Sequence, residues 1–266
     1  MSVSSIVTAA AVVGIVGIFV GLFLGIAGIK FKVEVDEKEE AVLQALPGNN
    51  CGGCGFAGCS GLAAAIAAGN APVGACPVGG EKVANEIAKI MGVESTGSVK
   101  MVAFVHCAGD CDKAGVDYEY TGAKDCTMMA FVPGGGPKKC NSGCLGFGNC
   151  VKACPFDAIH VVNGIAVVDK EKCKACGKCI EACPKKLITL IPYTSKVEVV
   201  CSSTDKGPVT MKACSVGCIG CGICVKNCPA QAIKVENFHA IIDQEACTGC
   251  GTCEAKCPKK AISHIG

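Results

Sequence analysis

The chain has 266 residues, 25 of them Cys and 35 Gly, with a formal net charge of +2, no Trp and no Arg. Near-neutral charge gives nucleic-acid binding no electrostatic support, and the few aromatic residues argue against one large conventional core. The length suits two or three small domains.

Residues 2–29 carry no charged side chain, and 6–29 is almost wholly apolar or small. As a helix rising about 1.5 Å per residue, this run covers roughly 36 Å, enough for a hydrocarbon core of about 30 Å. The pattern predicts a single transmembrane helix within 1–30. Gly17, Gly21 and Gly25 lie four apart on one face, and Gly21–Gly25 matches the GxxxG spacing that lets a neighbouring helix approach. A cleaved signal peptide is the alternative, but Met1–Ser5 lacks a cationic start and the apolar run is too long. Lys30 and Lys32 follow, and the positive-inside bias puts the rest of the chain in the cytoplasm. Thiols stay reduced there and available as metal ligands.

Cysteine spacing decides among disulfides, zinc and iron–sulfur. Disulfide frameworks have no reason to repeat runs of four closed by proline. The first group, Cys51, Cys54, Cys59 and Cys76, is spaced C-x2-C-x4-C-x16-C and followed by Pro77. Four thiolates suit one [4Fe–4S] cluster, although zinc also accepts four. Residues 60–70 read as a helix that starts beside Cys59 and presents its positive end to an anionic cluster. A second helix over 80–91 closes a domain set at 31–95, and a connecting segment with extra cysteines occupies 96–134.

An internal repeat fills the second half: residues 140–192, shifted by 74, fall on 214–266 without a gap. In the second copy, 196–266, both halves read C-x2-C-x2-C-x3-C-P. The first three cysteines of such a run wrap one cluster and the fourth reaches to the other. One cluster therefore takes Cys218, Cys221, Cys224 and Cys257, and its partner takes Cys247, Cys250, Cys253 and Cys228. Two short strands are expected between the halves, near 233–235 and 240–242, and in the first copy near 159–162 and 166–168. The first copy, 135–195, departs once: Phe147 stands where Cys221 stands in the second. Cys140 is the nearest replacement, so the expected quartets are Cys140, Cys144, Cys150 and Cys183, and Cys173, Cys176, Cys179 and Cys154. That makes five [4Fe–4S] clusters. Four of the remaining Cys107, Cys111, Cys126, Cys201 and Cys214 are candidates for a sixth; the alternative is buried free thiols. His106 reads as a surface or core histidine rather than a ligand.

The fold class expected is α+β: one membrane helix, a small helical [4Fe–4S] domain and two ferredoxin-like two-cluster units. The paired C-x2-C-x2-C-x3-C-P runs resemble bacterial two-cluster ferredoxins. With the anchor and the CGGCGFAGC…CP run at 51–77, the whole chain resembles the B subunit of the Rnf complex, an ion-translocating ferredoxin:NAD oxidoreductase, in a long form with an added repeat. The resemblance implies a single-pass subunit of the cell (inner) membrane, with its cluster domains in the cytoplasm. It would relay electrons between soluble ferredoxin and partner subunits that reduce NAD and move Na⁺ or H⁺. This chain would be the electron-input wire of that enzyme, with no catalytic residue, NAD site or ion path of its own. A membrane-anchored polyferredoxin serving another oxidoreductase is the alternative, and a structural zinc protein is the reading from another class. Residues 135–266 carry 17 Lys against 10 Asp and Glu. That excess suits an acidic ferredoxin, and equally offsets the negative charge of the clusters.

Overall fold

A computed structural model describes residues 3–30, 36–94, 97 and 99–265. Helix α1 runs Val3–Lys30, with apolar side chains such as Phe19, Phe23 and Ile26 well exposed. Only residues 12–27 of it have described side chains. Among the described residues no helix is long and apolar enough to cross a membrane. Lys32 and the side chain of Lys30, which carry the orientation argument, lie outside the described residues.

Three helices make a small domain: α2 (Glu37–Ala45), α3 (Gly58–Ala67) and α4 (Gly80–Met91). Asp36 caps α2 by accepting the Lys38 N–H at 2.9 Å, and Glu37, Glu39 and Glu40 suit the positive end of its first turn. Val42, Leu62, Ile66 and Ile87 fill the core between the three. Gly92 ends α4 in the left-handed conformation, at φ 70°.

The rest of the chain is two copies of one plan. Strand β1 (Met101–Val105) leads the first copy. Helix α5 (Asn149–Ala153), the hairpin β2 (Ile159–Val162) and β3 (Ile165–Val168), helix α6 (Lys178–Glu181) and strand β4 (Ile188–Pro192) follow. The second copy runs β5 (Val197–Val199), α7 (Gly207–Ala213), α8 (Ile223–Lys226), β6 (Ile233–Glu236), β7 (His239–Ile242), α9 (Thr252–Lys256) and β8 (Ile262–His264). Register repeats with the sequence: Ile159 faces Val168 in the first hairpin, and Ile233 faces Ile242 in the second. So does backbone conformation. Asp157 and Gln231 both take positive φ three residues after a Cys-Pro ligand, as do Lys186 and Lys260.

In each copy the leading strand pairs antiparallel with the last, β1 with β4 and β5 with β8. These outer strands are only three to five residues long, too short for their pattern alone to announce them. His106 ties the copies together. Its Nδ1 lies 2.9 Å from the Val199 carbonyl, so that nitrogen donates, and its Nε2 lies 2.7 Å from the Thr189 hydroxyl.

Candidate metal centres

In the second copy the cysteines lie around two cavities. Cys218, Cys221, Cys224 and Cys257 line one cavity, and Cys228, Cys247, Cys250 and Cys253 line another. The cross-over follows from the topology. Each short helix carries a third cysteine and leads into a fourth, and the hairpin turns the chain so that the fourth joins the other half.

The first copy groups its cysteines differently from the expectation. Cys144, Cys150 and Cys183 line a cavity with Cys126, not with Cys140. Cys126 is held there from both sides. Its backbone N–H donates to Asn149 Oδ1 at 3.0 Å, and Asn149 Nδ2 donates to Asp125 Oδ1 at 2.8 Å. The Phe147 N–H faces the Cys126 sulfur. The residue that replaces Cys221 in the repeat thus supports the thiol that stands in for it. In the other half, Cys179 lies within electrostatic reach of Cys173, Cys176, Cys150 and Cys154; of these, Cys150 lines the cavity with Cys126. In the helical domain Cys76 feels Cys59 and Cys51, and Cys54 packs on the same core.

Cys140 lines a separate cavity with Cys107, Cys201 and Cys214. These last three are among the five cysteines left unassigned by spacing. Of those five, Cys111 is exposed, and its N–H donates to the Asn163 carbonyl at 3.0 Å. Among the described residues no three His, Cys, Asp or Glu side chains are gathered closely enough to hold a metal ion.

The donor chemistry suits thiolates. After each of three Cys-Pro pairs the N–H four residues on from the cysteine donates to its sulfur: Ala158 to Cys154 at 3.5 Å, Leu187 to Cys183 at 3.5 Å and Ala261 to Cys257 at 3.3 Å. Ala166 donates to Cys144, and Ala103 to Cys173, both at 3.4 Å. Such bonds favour the ionised sulfur that an iron–sulfur cluster binds. Burial works the other way, pushing the Cys150 and Cys224 thiols up to about 11 and Cys179 to about 12. Without metal these sulfurs are protonated at neutral pH, so loading a site displaces protons. The quartets fit [4Fe–4S] clusters in ligand number, ligand type and N–H donors.

The helical domain and the first ferredoxin-like unit meet backbone to backbone. A Cβ at Gly53 would stand 2.7 Å from the carbonyl oxygen of Cys176 and 2.9 Å from its Cα. Cys176 also feels the charge of Cys51. Only glycine lets these two ligand loops touch.

Family models match three stretches: an Fe-S cluster family (FeS) over 46–78, and 4Fe-4S dicluster domains over 136–184 and 217–262. The chain is 46% identical to the B subunit of the Na(+)-translocating ferredoxin:NAD(+) oxidoreductase complex of Acetobacterium woodii, over 91% of this chain and 73% of that protein. It is also 46% identical to the B subunit of the proton-translocating ferredoxin:NAD(+) oxidoreductase complex of Clostridium ljungdahlii, over 88% of this chain and 82% of that one. The B subunit of the ion-translocating oxidoreductase complex of Methanosarcina acetivorans matches at 46% over 91% and 92% of the two chains. With iron–sulfur matches in all three cysteine-rich regions and identity of this extent along the chain, the protein belongs to the family of Rnf complex B subunits.

Proposed function

We propose that the chain is the electron-input subunit of a membrane-bound, ion-translocating ferredoxin:NAD oxidoreductase complex. It relays single electrons between ferredoxin and the partner subunits that reduce NAD. The observation that carries this reading is the succession of cysteine quartets along a chain 46% identical, over about nine-tenths of its length, to subunits so named.

Bound clusters supply one-electron chemistry. The chain's own residues set the rest: thiols ligate, backbone N–H groups stabilise their charge, and burial excludes water. Cys51, Cys54, Cys59 and Cys76 would hold one cluster. Cys126, Cys144, Cys150 and Cys183 would hold the second, and Cys154, Cys173, Cys176 and Cys179 the third. The last unit's two quartets make five. The exposed residues Cys221 and Cys250 favour that unit as the one nearest solvent. Lys259 and Lys260 beside its ligand Cys257 suit an acidic ferredoxin.

The anchor reading is supported by the 28 residues of α1 and by the exposure of every large apolar side chain described in it. The positive charges after the helix favour a cytoplasmic face for the cysteine-rich units. Relatives named for sodium and for proton translocation are equally identical to the chain, which supports an ion path outside it.

Membranes lacking this chain test the reading. Ferredoxin-dependent NAD reduction and the ion gradient it builds should both vanish, and both should return with the full-length protein. Loss of NAD reduction with the gradient intact would favour a polyferredoxin serving another oxidoreductase.

A further inference from the structure

We propose that Cys107, Cys140, Cys201 and Cys214 hold a further [4Fe–4S] cluster that joins the two ferredoxin units, each unit supplying two ligands. The inference rests on the iron–sulfur reading of the other quartets, and four independent features of the molecule carry it.

The four sulfurs line one cavity between the copies. They are also related by the internal repeat. Cys140 and Cys214 are repeat mates at the offset of 74. Cys107 and Cys201 each follow a leading strand by two residues, after Val105 and Val199, which face Ile188 and Ile262 in equivalent registers. A site built twice from the same two positions has approximate two-fold symmetry, and one four-thiolate cluster matches it.

Two hydrogen bonds connect this cavity to its neighbours in the same symmetric way. The N–H of Cys144 donates to Cys107 Sγ at 3.3 Å, and the N–H of Cys218 donates to Cys201 Sγ at 3.3 Å. Cys144 and Cys218 are themselves ligand positions of the adjoining quartets. Each unit therefore joins its adjoining quartet to the shared cavity through an N–H···S contact, and in the second unit the Ser203 N–H also donates to Cys201 Sγ, at 3.4 Å.

Space is kept open by glycine. A Cβ at Gly109 would stand 3.1 Å from Cys214 Sγ and 3.9 Å from Cys107 Sγ. Gly143 and Gly217, another repeat pair, lie against Cys140 and Cys214 respectively.

Charge gives the fourth argument. Lys138 is 8% exposed, and its ammonium donates to the carbonyls of Gly109 at 2.7 Å and Gly164 at 3.2 Å. No carboxylate pairs with it among the described ion pairs. A buried cation needs a counter-charge, and its positive field acts on Cys107. An anionic cluster on four thiolates supplies what the protein does not.

The exchange is of single electrons between the quartets on either side, originating from reduced ferredoxin; no bond forms or breaks and the thiolates stay in place. The test uses the full-length protein purified without oxygen in detergent. Iron and acid-labile sulfide should be about 24 each per chain in the wild type and in Cys111→Ala, and about 20 each in Cys214→Ala. Mixed with limiting reduced ferredoxin, Cys214→Ala should bleach in a fast and a slow phase where the wild type shows one. Lys138→Met, which leaves every ligand in place, should lower the reduction potential of one cluster's worth of signal and leave the others. Wild-type iron in Cys214→Ala, an unchanged single phase, or unmoved potentials in Lys138→Met would each overturn the bridge. A wild type with about 20 iron sinks this site alone, whereas one with no labile sulfide sinks the iron–sulfur reading beneath it.

Discussion

Replacing Gly53 by alanine tests how the helical domain is joined to the first ferredoxin unit. The added methyl would stand 2.7 Å from the Cys176 oxygen, 2.9 Å from its Cα and 3.0 Å from its carbonyl carbon. Ordinary contact begins near 3.4 Å, so the two loops must part by about 0.7 Å. Both sides are backbone, and no rotamer relieves the clash. Overpacking of this kind costs about 1–3 kcal/mol, which is roughly a 5- to 150-fold change in the equilibrium for opening the junction. The cost falls on docking, because the core of Val42, Leu62, Ile66 and Ile87 lies elsewhere. Hydrogen exchange should therefore speed up at residues 51–54 and 174–177 while iron content stays at the wild-type value. Gly61→Ala is the control: its nearest neighbour is the Phe56 Cβ at 3.8 Å, inside a helix where alanine is favoured. Wild-type protection in Gly53→Ala would refute the argument that this glycine sets the approach.

Cys126→Ala should remove about four iron per chain, and the double change Cys126→Ala with Phe147→Cys should restore them, because Phe147 occupies the repeat position of Cys221. Iron analysis of both proteins checks this, and a double variant no better than the single one would contradict the substitution of one thiol for the other. Asn149→Ala removes the side chain that holds the Cys126 backbone at 3.0 Å; faster iron loss to a chelator at that one quartet is the expected result. Stripping all metal should abolish slow exchange in β6 and β7. Cys218, Cys224 and Cys253 are part of the small buried set around that hairpin, and the remaining aliphatic residues make too little core on their own. Persistent protection in the stripped protein would show that the cysteines are not needed for the fold.

Much of this molecule can be read from its cysteine and proline spacing. The strict C-x2-C-x2-C-x3-C-P runs of the second unit announce which cysteines share a cavity, with Cys257 beside Cys218, Cys221 and Cys224, and Cys228 beside Cys247, Cys250 and Cys253. The central hairpins follow from their apolar runs, with ends shifted by a residue at most. The helix over 80–91 lies where its pattern places it, and α3 starts two residues before the expected position. What escaped were features of the leaders. Cys107 and Cys140 are 33 positions apart, while Cys201 and Cys214 are 13 apart. The first leader thus carries 20 extra residues, and these contain Cys126. A gapless shift of 74 cannot align Cys107 with Cys201 across that insertion, so Cys140 looked like the free replacement for the missing ligand. The signal was present in short form: Phe104-Val105-His106-Cys107 and Glu198-Val199-Val200-Cys201 share a valine two residues before a cysteine. Strands β1 and β5, each continuing into one of these cysteines, could be placed only by their long-range pairing with β4 and β8. Lys138 gave no sign in the sequence, since its burial depends on the fold around Gly109 and Gly164.

Iron, acid-labile sulfide and zinc per chain, measured on protein never exposed to air, test the central claim most directly. Six four-cysteine sites predict about 24 iron and about 24 sulfide, with zinc near zero. Stoichiometric zinc with little iron and no sulfide would contradict the reading of this chain as an electron carrier.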